Sequence, residues 1–503
     1  METITMTFSI KNTGALFTIP NLGSMISGLA IQILLATAAV AAPSINVTPH
    51  ERTILDDFTI QITGAAPNGK VVVEASLTDA RKRIWTSRGV YTADFNGAVN
   101  PATSASLEGT YTGVNRHGLI WSMLPLTAKE LTSHMNDDPV EAGWPMAPAL
   151  GLNNPTTITF RTLLETSGPV SSSQTQELKT THLVHGVAEG LRRREINEWG
   201  IRGILYTPLE PGEYPPVLIV TGSEGGASER NAALLASQGF SALALAHFSY
   251  PGRPEQLLNI PLEYFRSAIE WLAAETGQKR VALSGGSRGG EAVLLIASTY
   301  PELVSAVVAG VPSNVALGAC CSPATAGQAA WTLAEKPIPT WGVKPWGLAQ
   351  DEKNREVSLS QDYSVVWRLM LQGMLAAEQS SPFAIPVENI RAPILLISGD
   401  ADAVWASKLA SDKVIQRLQQ NGFAFPAEHL SITGAGHSVS IPLLVTSLIG
   451  TKIRHPVNTA IELSLGGLPS ATYYGGLQAQ RRRIEFLRGS PTALSKELVA
   501  PNF

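Results

Sequence analysis

The chain has only two cysteines in 503 residues, and they are adjacent, at Cys320 and Cys321. Adjacent cysteines exclude any disulfide framework beyond a bridge between neighbours, and no Cys/His spacing typical of a zinc site is present. Charge is also sparse, at 16% of residues, and the formal net charge of −4 argues against nucleic-acid binding as a main role. We therefore expect no metal, no cofactor and no nucleic-acid partner.

Charged residues are missing from one long stretch near the start of the chain. Between Asn12 and His50 there is no Asp, Glu, Lys or Arg, and the predominantly apolar run 26–42 ends in an Ala-x-Ala pattern. This composition is typical of an export signal, and the apolar core is too short for a membrane span of about 20 residues. We interpret residues 1–43 as a leader, a signal peptide or an anchor, with a misplaced start codon as the alternative. A genuine leader predicts an exported protein, periplasmic or secreted; otherwise a cytoplasmic location is expected. No later segment has the pattern of a membrane span.

Residues 44–188 consist of short segments of alternating polarity separated by turns. Phe58–Thr63 and Val71–Leu77 have the period of two that is typical of strands, and Thr157–Leu164 and Glu177–Val184 form a second such pair. No segment of any length has the period of a helix. This region is therefore predicted to be an all-β, immunoglobulin-like sandwich domain.

Residues 189–503 have a different pattern, in which apolar strands alternate with helical segments. Strands at Val217–Val220 and Ala242–Ala246 are each followed by a predicted helix, the second at Leu262–Ala274. This alternation predicts a doubly wound, mostly parallel sheet and, taken with the motif described next, an α/β-hydrolase domain. The stretch 313–385 lacks clean periodicity and is either a cap inserted over the active site or an ordinary surface excursion.

The most informative motif is Gly285-Gly-Ser-Arg-Gly289, which has the pattern G-x-S-x-G. It follows a strand predicted at Val281–Leu283 and precedes a helix predicted from about Gly289. In a nucleophile elbow, such a turn holds the serine in a strained conformation with its Oγ exposed, and glycines let strand and helix pack closely. An ordinary glycine-rich turn is the alternative, but the flanking strand and helix favour Ser287 as a nucleophile.

A serine hydroxyl needs a carboxylate-oriented histidine to accept its proton, and in this architecture the acid precedes the histidine along the chain. Asp400 and Asp402 both follow the apolar strand Ile394–Ile397. Asp402 is preferred because it lies three residues past Gly399, the usual place of the acid. Asp400 is then a turn-forming or helix-capping residue.

His437 is the candidate base because it lies in a loop of small residues, 433–438, after the short apolar stretch Leu430–Ile432. Such a loop allows an imidazole to reach over the serine. His429 is expected before the strand, at the surface, and His455 is expected in a loop.

The oxyanion formed in acyl transfer requires two backbone N–H groups. The amide of Arg288, the residue after the nucleophile, is one candidate. The second is expected in the glycine-rich loop after the strand 217–220, from Ser223 or Glu224.

Two arginine triplets, 192–194 and 481–483, are the densest positive runs in the chain. Both are interpreted as solvated faces. Contact with an anionic substrate is the alternative.

Several motifs occur together and are more specific than G-x-S-x-G alone. In the C-terminal half they are Gly239–Phe240, Ile260–Phe265, Gly285–Glu291, Ile385–Glu388, Gly399–Ser407 and Gly434–His437, and in the N-terminal half Leu107–Gly113 and Gly118–Met123. With them the chain resembles the family of acyl-CoA thioesterases and bile acid-CoA:amino acid N-acyltransferases, from about residue 44 to residue 487. The resemblance implies Ser287 as the nucleophile, Asp402 as the orienting acid and His437 as the base. In that family the acyltransferases use cysteine as nucleophile and the thioesterases mostly serine, so Ser287 favours hydrolysis.

These observations predict an acyl-CoA thioesterase that releases free fatty acid and CoA through an acyl-enzyme. Its partner would be a small-molecule acyl-CoA or acyl ester. Family members generally work inside cells, and the leader departs from that pattern. An exported carboxylic-ester or other acyl hydrolase that does not use CoA is therefore one alternative, and an acyl-CoA:amino acid N-acyltransferase is another. A binding protein with an inactive hydrolase domain is disfavoured because nucleophile and base are both present.

Overall fold

The computed structural model describes residues 42–126, 147–148, 150–151, 154–167, 173–186, 189–320, 325, 327–341, 375, 381–441, 443–450, 452–454 and 462–489. The predicted leader, apart from residues 42 and 43, lies outside these residues, as do more than half of the predicted insertion 313–385 and the predicted domain boundary at residue 188. The leader, the insertion and the boundary therefore stay predictions.

The N-terminal part of the chain folds into two packed β-sheets. The strands are β1 Ser44–Thr48, β2 Glu51–Thr53, β3 Thr59–Thr63, β4 Lys70–Thr78, β5 Ile84–Thr92, β6 Glu108–Gly109, β7 Leu124–Pro125, β8 Thr156–Ser167 and β9 Ser173–His185, with a short helix α1 at Gly118–Trp121. One sheet pairs β1 with β3, and the other has the order β2-β9-β8-β4-β5-β6, with β7 also paired to β5. In β4 every second residue is buried, as its alternating sequence requires. Residues of both sheets, such as Ile60 and Phe160, share one core, which makes this part a sandwich.

The C-terminal part is built on an eight-stranded sheet of order β10-β11-β13-β12-β15-β16-β19-β20. The first two pairings are antiparallel and the others are parallel. The sheet strands are β10 Leu191–Ile196, β11 Gly203–Pro208, β12 Pro216–Val220, β13 Ser241–Leu245, β15 Val281–Gly286, β16 Val304–Gly310, β19 Ile394–Gly399 and β20 Ala427–Ile432. The short strands β14 Ile260–Pro261, β17 Trp331–Leu333 and β18 Lys336–Pro337 form a separate small sheet, and β21 Lys452–Arg454 pairs with β22 Glu462–Ser464.

Helices cover the large sheet and connect its parallel strands. They are α2 Glu229–Ala236, α3 Leu262–Thr276, α4 Arg288–Thr299, α5 Ser407–Gln420 and α6 Pro469–Leu487. Together with the strand order, this arrangement is an α/β-hydrolase fold preceded by a β-sandwich, as predicted. No helix within the described ranges combines the length and the apolar composition that crossing a membrane requires.

The helix α6 was not predicted, and it corrects the interpretation of the second arginine triplet as a solvated face. Arg482 and Arg483 are buried, at 9% and 5% exposure. The helix also contacts the sandwich, because the Tyr474 hydroxyl donates to Asn115 Oδ1 at 2.7 Å and Arg481 donates to the Leu55 carbonyl at 2.9 Å. The first triplet, by contrast, is exposed on β10.

Candidate active site

Ser287 lies at the turn between β15 and α4, with φ of 57° and ψ of −122°. The left-handed backbone conformation thus belongs to the serine itself, and the glycines on either side serve close packing. A Cβ on Gly289 would lie 2.3 Å from the carbonyl oxygen of Val220, and one on Gly285 would lie 2.3 Å from the carbonyl oxygen of Gly289. The local sequence therefore forms a nucleophile elbow at the carboxyl edge of the sheet.

His437 lies above this turn, at the start of a short 3-10 turn that follows β20. Its Nε2 lies 2.9 Å from the Ser287 hydroxyl, and its Nδ1 lies 2.8 Å from Asp402 Oδ2. Because a carboxylate can only accept, Nδ1 carries the proton, and Nε2 accepts from the serine. The ring is buried and packs edge-on against Trp405, and its backbone N–H donates to the Leu465 carbonyl.

Asp402 is held as an acceptor by its own loop. Its Oδ1 accepts the backbone N–H groups of Val404 and Trp405, at 2.9 and 3.2 Å. Its Oδ2 also accepts the Ser407 hydroxyl at 2.6 Å. Asp400, the competing candidate, instead accepts the Gly434 N–H at 2.7 Å and does not bond the histidine. The structure therefore brings Asp402, and not Asp400, to His437.

One further histidine after the elbow, His429, differs from its predicted position. His429 lies within β20, and not before it. Its ring bonds the Ser398 hydroxyl and Asp412, at 2.7 and 2.9 Å. His455 lies outside the described residues.

The loop predicted to supply the second oxyanion donor contains a hydrogen bond from its backbone to one of its own side chains. Glu224 Oε1 accepts the N–H of Gly222 at 3.1 Å. A Cβ on Gly222 would lie 2.6 Å from Glu224 Oε2 and 3.3 Å from the Ser287 Cβ, so this carboxyl lies beside the nucleophile. Its side chain is exposed to a cavity, and desolvation by the surrounding protein raises the pKa of Glu224. The amides of Arg288, Ser223 and Glu224 stay predicted donors.

A cavity of about 340 Å³ lies beside Ser287 and His437. Its lining is mainly apolar and includes Ile219, Val308 and Ile397. An apolar cavity next to a nucleophile suits an acyl chain, because each buried methylene contributes about 0.8 kcal/mol. Cys320 also lines the cavity, and it is disulfide-bonded.

A buried ion pair directly follows the nucleophile. Arg288 Nε lies 3.2 Å from Glu291 Oε2, and both side chains are almost fully buried. Glu291 Oε1 also accepts the Leu317 N–H at 2.9 Å and the indole N–H of Trp331 at 2.8 Å. Burial raises the pKa of Glu291 and lowers the pKa of Arg288. Sequence reasoning missed the role of Glu291, although a charge in an otherwise apolar helix after an elbow was an available signal.

The fold and this site define a member of the α/β-hydrolase class of enzymes. Two family models match the chain: acyl-CoA thioester hydrolase/BAAT N-terminal region at residues 56–198, and BAAT/acyl-CoA thioester hydrolase C terminal at residues 260–489. Together the matches cover about three quarters of the sequence. The chain therefore belongs to the acyl-CoA thioester hydrolase/BAAT family, as the resemblance predicted.

The similar curated proteins include enzymes of both activities in this family. The mitochondrial acyl-coenzyme A thioesterase 2 of Mus musculus is 27% identical over 431 residues, covering 85% of each chain. Its Homo sapiens counterpart is 28% identical, covering 82% of this chain and 77% of its own. The acyl-coenzyme A amino acid N-acyltransferase 2 of Mus musculus is 26% identical, covering 78% of this chain and 86% of its own. Among solved structures, an esterase/lipase from an uncultured bacterium aligns with a TM-score of 0.34 and 14% identity, over 60% of this chain and 86% of that chain.

Proposed function

We propose that this protein hydrolyses acyl-CoA thioesters through a covalent acyl-enzyme on Ser287. The observation that carries the proposal is the hydrogen-bonded series from Ser287 to His437 to Asp402, beside an apolar cavity. Membership of a family whose named relatives act on acyl-CoA supplies the substrate class.

In the acylation step, His437 Nε2 accepts the proton of the Ser287 hydroxyl as Oγ attacks the thioester carbon. The carbonyl oxygen becomes an oxyanion, and the backbone amides of Arg288 and of Ser223 or Glu224 are the proposed donors to it. The carbon–sulfur bond then breaks, and the CoA thiolate takes the proton from His437. Asp402 stabilises the imidazolium through the Nδ1–H bond and keeps the ring in the tautomer that accepts from serine.

In the deacylation step, His437 removes a proton from a water molecule, and the resulting hydroxide attacks the ester carbon of the acyl-enzyme. The Ser287 oxygen leaves and recovers its proton from His437. The products are a carboxylic acid and the free enzyme. General-base catalysis of this kind contributes typically about 10²–10⁴ in rate.

The test is thiol release from a panel of acyl-CoAs, from acetyl-CoA to arachidoyl-CoA, by the purified full chain. Ser287→Ala and a p-nitrophenyl ester are assayed in parallel. Thiol release that disappears in Ser287→Ala supports the proposal, and the chain-length profile then defines the substrate. Ser287→Ala with turnover near that of wild type would overturn the mechanism.

Two alternatives are outcomes of the same experiment. Ester cleavage without thiol release would leave Ser287, His437 and Asp402 as the proposed catalytic residues, but it would indicate simple esters and not CoA thioesters as the substrates. An N-acyl product formed when glycine or taurine is added would indicate acyl transfer, an activity named among the relatives.

A further inference from the structure

Arg483 is a buried cation that is paired with no other residue in the described part of the chain. It is 5% exposed, and neither its Nε nor its Nη2 has a hydrogen-bond partner there. It also lines the cavity that contains Ser287. The two neighbouring arginines of the triplet do have hydrogen-bond partners. Arg481 donates to the Leu55 carbonyl, and Arg482 donates two hydrogen bonds to the Glu428 carboxylate.

An unpaired guanidinium in the interior is energetically unfavourable, since burial removes water and nothing replaces it. Burial lowers the pKa of Arg483 to about 10, so the group still carries its charge at neutral pH. Such a site is completed by an anion, and the planar fork of guanidinium donors matches a carboxylate with two parallel hydrogen bonds.

The position of the cavity shows which part of a substrate would reach this residue. Ile219, Ser284 and Val308 are register partners on three neighbouring parallel strands, and all three line the cavity. Register partners in a sheet present their side chains on the same face. The cavity therefore extends from the carboxyl edge of the sheet, where Ser287 lies, along this face of the sheet.

The helix α6 closes the cavity over that face. Ala479 belongs to the same apolar cluster as Val308, and Arg483 lies one helical turn further along α6. Gly310, on the same strand as Val308, lets Ser440 pack closely against this strand, because a Cβ there would lie 2.4 Å from the Ser440 Cβ. A thioester whose carbonyl lies at Ser287 and whose acyl group enters this apolar interior would bring the far end of the acyl group toward α6.

We propose that Arg483 binds a carboxylate at the far end of the acyl group, so that the preferred substrates are thioesters of dicarboxylic acids. This inference rests on the proposed function for the identity of the thioester. The cavity would thus combine an apolar lining for the methylene chain with one cation for its terminal charge.

A carboxyl that also lines the cavity, that of Glu224, is compatible with an anionic acyl group. Glu224 lies beside Ser287, and its raised pKa extends the pH range in which it is uncharged. The Ser438 hydroxyl also lines the cavity, has no hydrogen-bond partner among the described residues, and is a further candidate donor to an anion.

The experiment compares ω-carboxyacyl-CoAs, from succinyl to sebacoyl, with methyl-terminated acyl-CoAs of equal length. We expect wild type to have the higher kcat/KM for the dicarboxylic series at one or more lengths. Arg483→Gln should lower the ratio of the two series by about 30-fold or more, equivalent to at least about 2 kcal/mol. Arg483→Lys should retain part of the preference, and Arg481→Gln, the matched control on the same helix, should keep it unchanged.

The inference is overturned if wild type shows no preference, or if Arg483→Gln lowers both series by the same factor. A second measurement uses wild type alone and needs neither a folded variant nor a CoA substrate. Adipate and hexanoate are compared as protectants of Ser287 against a fluorophosphonate. Stronger protection by adipate supports the carboxylate site even if no acyl-CoA is turned over, and equal protection contradicts it.

Discussion

The carboxylate of Glu291 accepts the indole N–H of Trp331 at 2.8 Å, which joins the helix after the nucleophile to a strand 40 residues away along the chain. The same carboxylate faces Arg288, whose backbone amide is a predicted oxyanion donor. The position of that amide thus depends on contacts made by a distant part of the chain.

Removing the Glu291 carboxylate should destabilise the protein strongly. Glu291→Ala leaves the Arg288 cation buried without its partner, and breaking a buried pair in this way costs about 3–5 kcal/mol. Thermal unfolding followed by circular dichroism measures the effect. Glu302→Ala, an exposed carboxylate after the same helix, is the control and should change little. Equal melting temperatures for the two variants would contradict the prediction.

The two aspartates of the loop after β19 should differ sharply in their effect on activity. Asp402→Asn removes the acceptor that sets the histidine tautomer, and we expect kcat to fall by about 10³–10⁴. Asp400→Asn perturbs only a bond to the Gly434 N–H and should retain most activity. Single-turnover acylation by a p-nitrophenyl ester compares both with wild type. A larger loss in Asp400→Asn would reverse the assignment of the acid.

Ionisation of Glu224 should lower activity. Because desolvation raises its pKa, the carboxyl is neutral below that raised pKa and becomes an anion as pH rises through it. An anion beside Ser287 opposes the developing oxyanion, so kcat/KM of wild type should decline as pH rises through the pKa of Glu224. Glu224→Gln stays neutral and should lose this decline. Profiles from about pH 5 to about pH 9 test this, since they bracket the range of general-base catalysis.

The control for the Glu224 profile is Glu213→Gln, an exposed residue in the loop before β12. It should reproduce the wild-type profile. A decline with rising pH that persists unchanged in Glu224→Gln would assign the decline to a different group.

The contact between the sandwich and α6 should contribute measurably to stability. Tyr474 donates to Asn115 Oδ1 at 2.7 Å and accepts the His117 N–H at 3.2 Å. Tyr474→Phe leaves these groups with fewer partners and should cost about 1–3 kcal/mol. Urea unfolding measures this against Tyr214→Phe, whose hydroxyl bonds a carbonyl in an exposed loop and whose loss should stay within about 0.5 kcal/mol. A Tyr474→Phe midpoint equal to that of wild type would show that this contact adds no stability.

Local patterns in the sequence were sufficient to identify the candidate reacting groups. A nucleophile elbow requires small residues at fixed offsets from the serine, so Ser287 could be recognised from five consecutive residues. Asp402 and His437 followed from the chain order of this architecture and from the loops that contain them. The same reasoning wrongly placed His429 before its strand. The first residues of β20 are mainly polar, so they lack the apolar periodicity by which a strand is predicted.

The sequence by itself determined the class of fold and the candidates for nucleophile, acid and base, because strand and helix periodicity and the elbow motif are local properties. Only the tertiary structure decided which charges are buried. Arg482 and Arg483 belong to a triplet that the sequence pattern assigns to the surface, yet both are buried in α6. Arg482 is paired with Glu428, 54 residues away, whereas Arg483 lines the cavity and is unpaired among the residues that the structure describes. Burial and hydrogen-bond partners depend on long-range packing, and they are what distinguish a surface charge from a binding site.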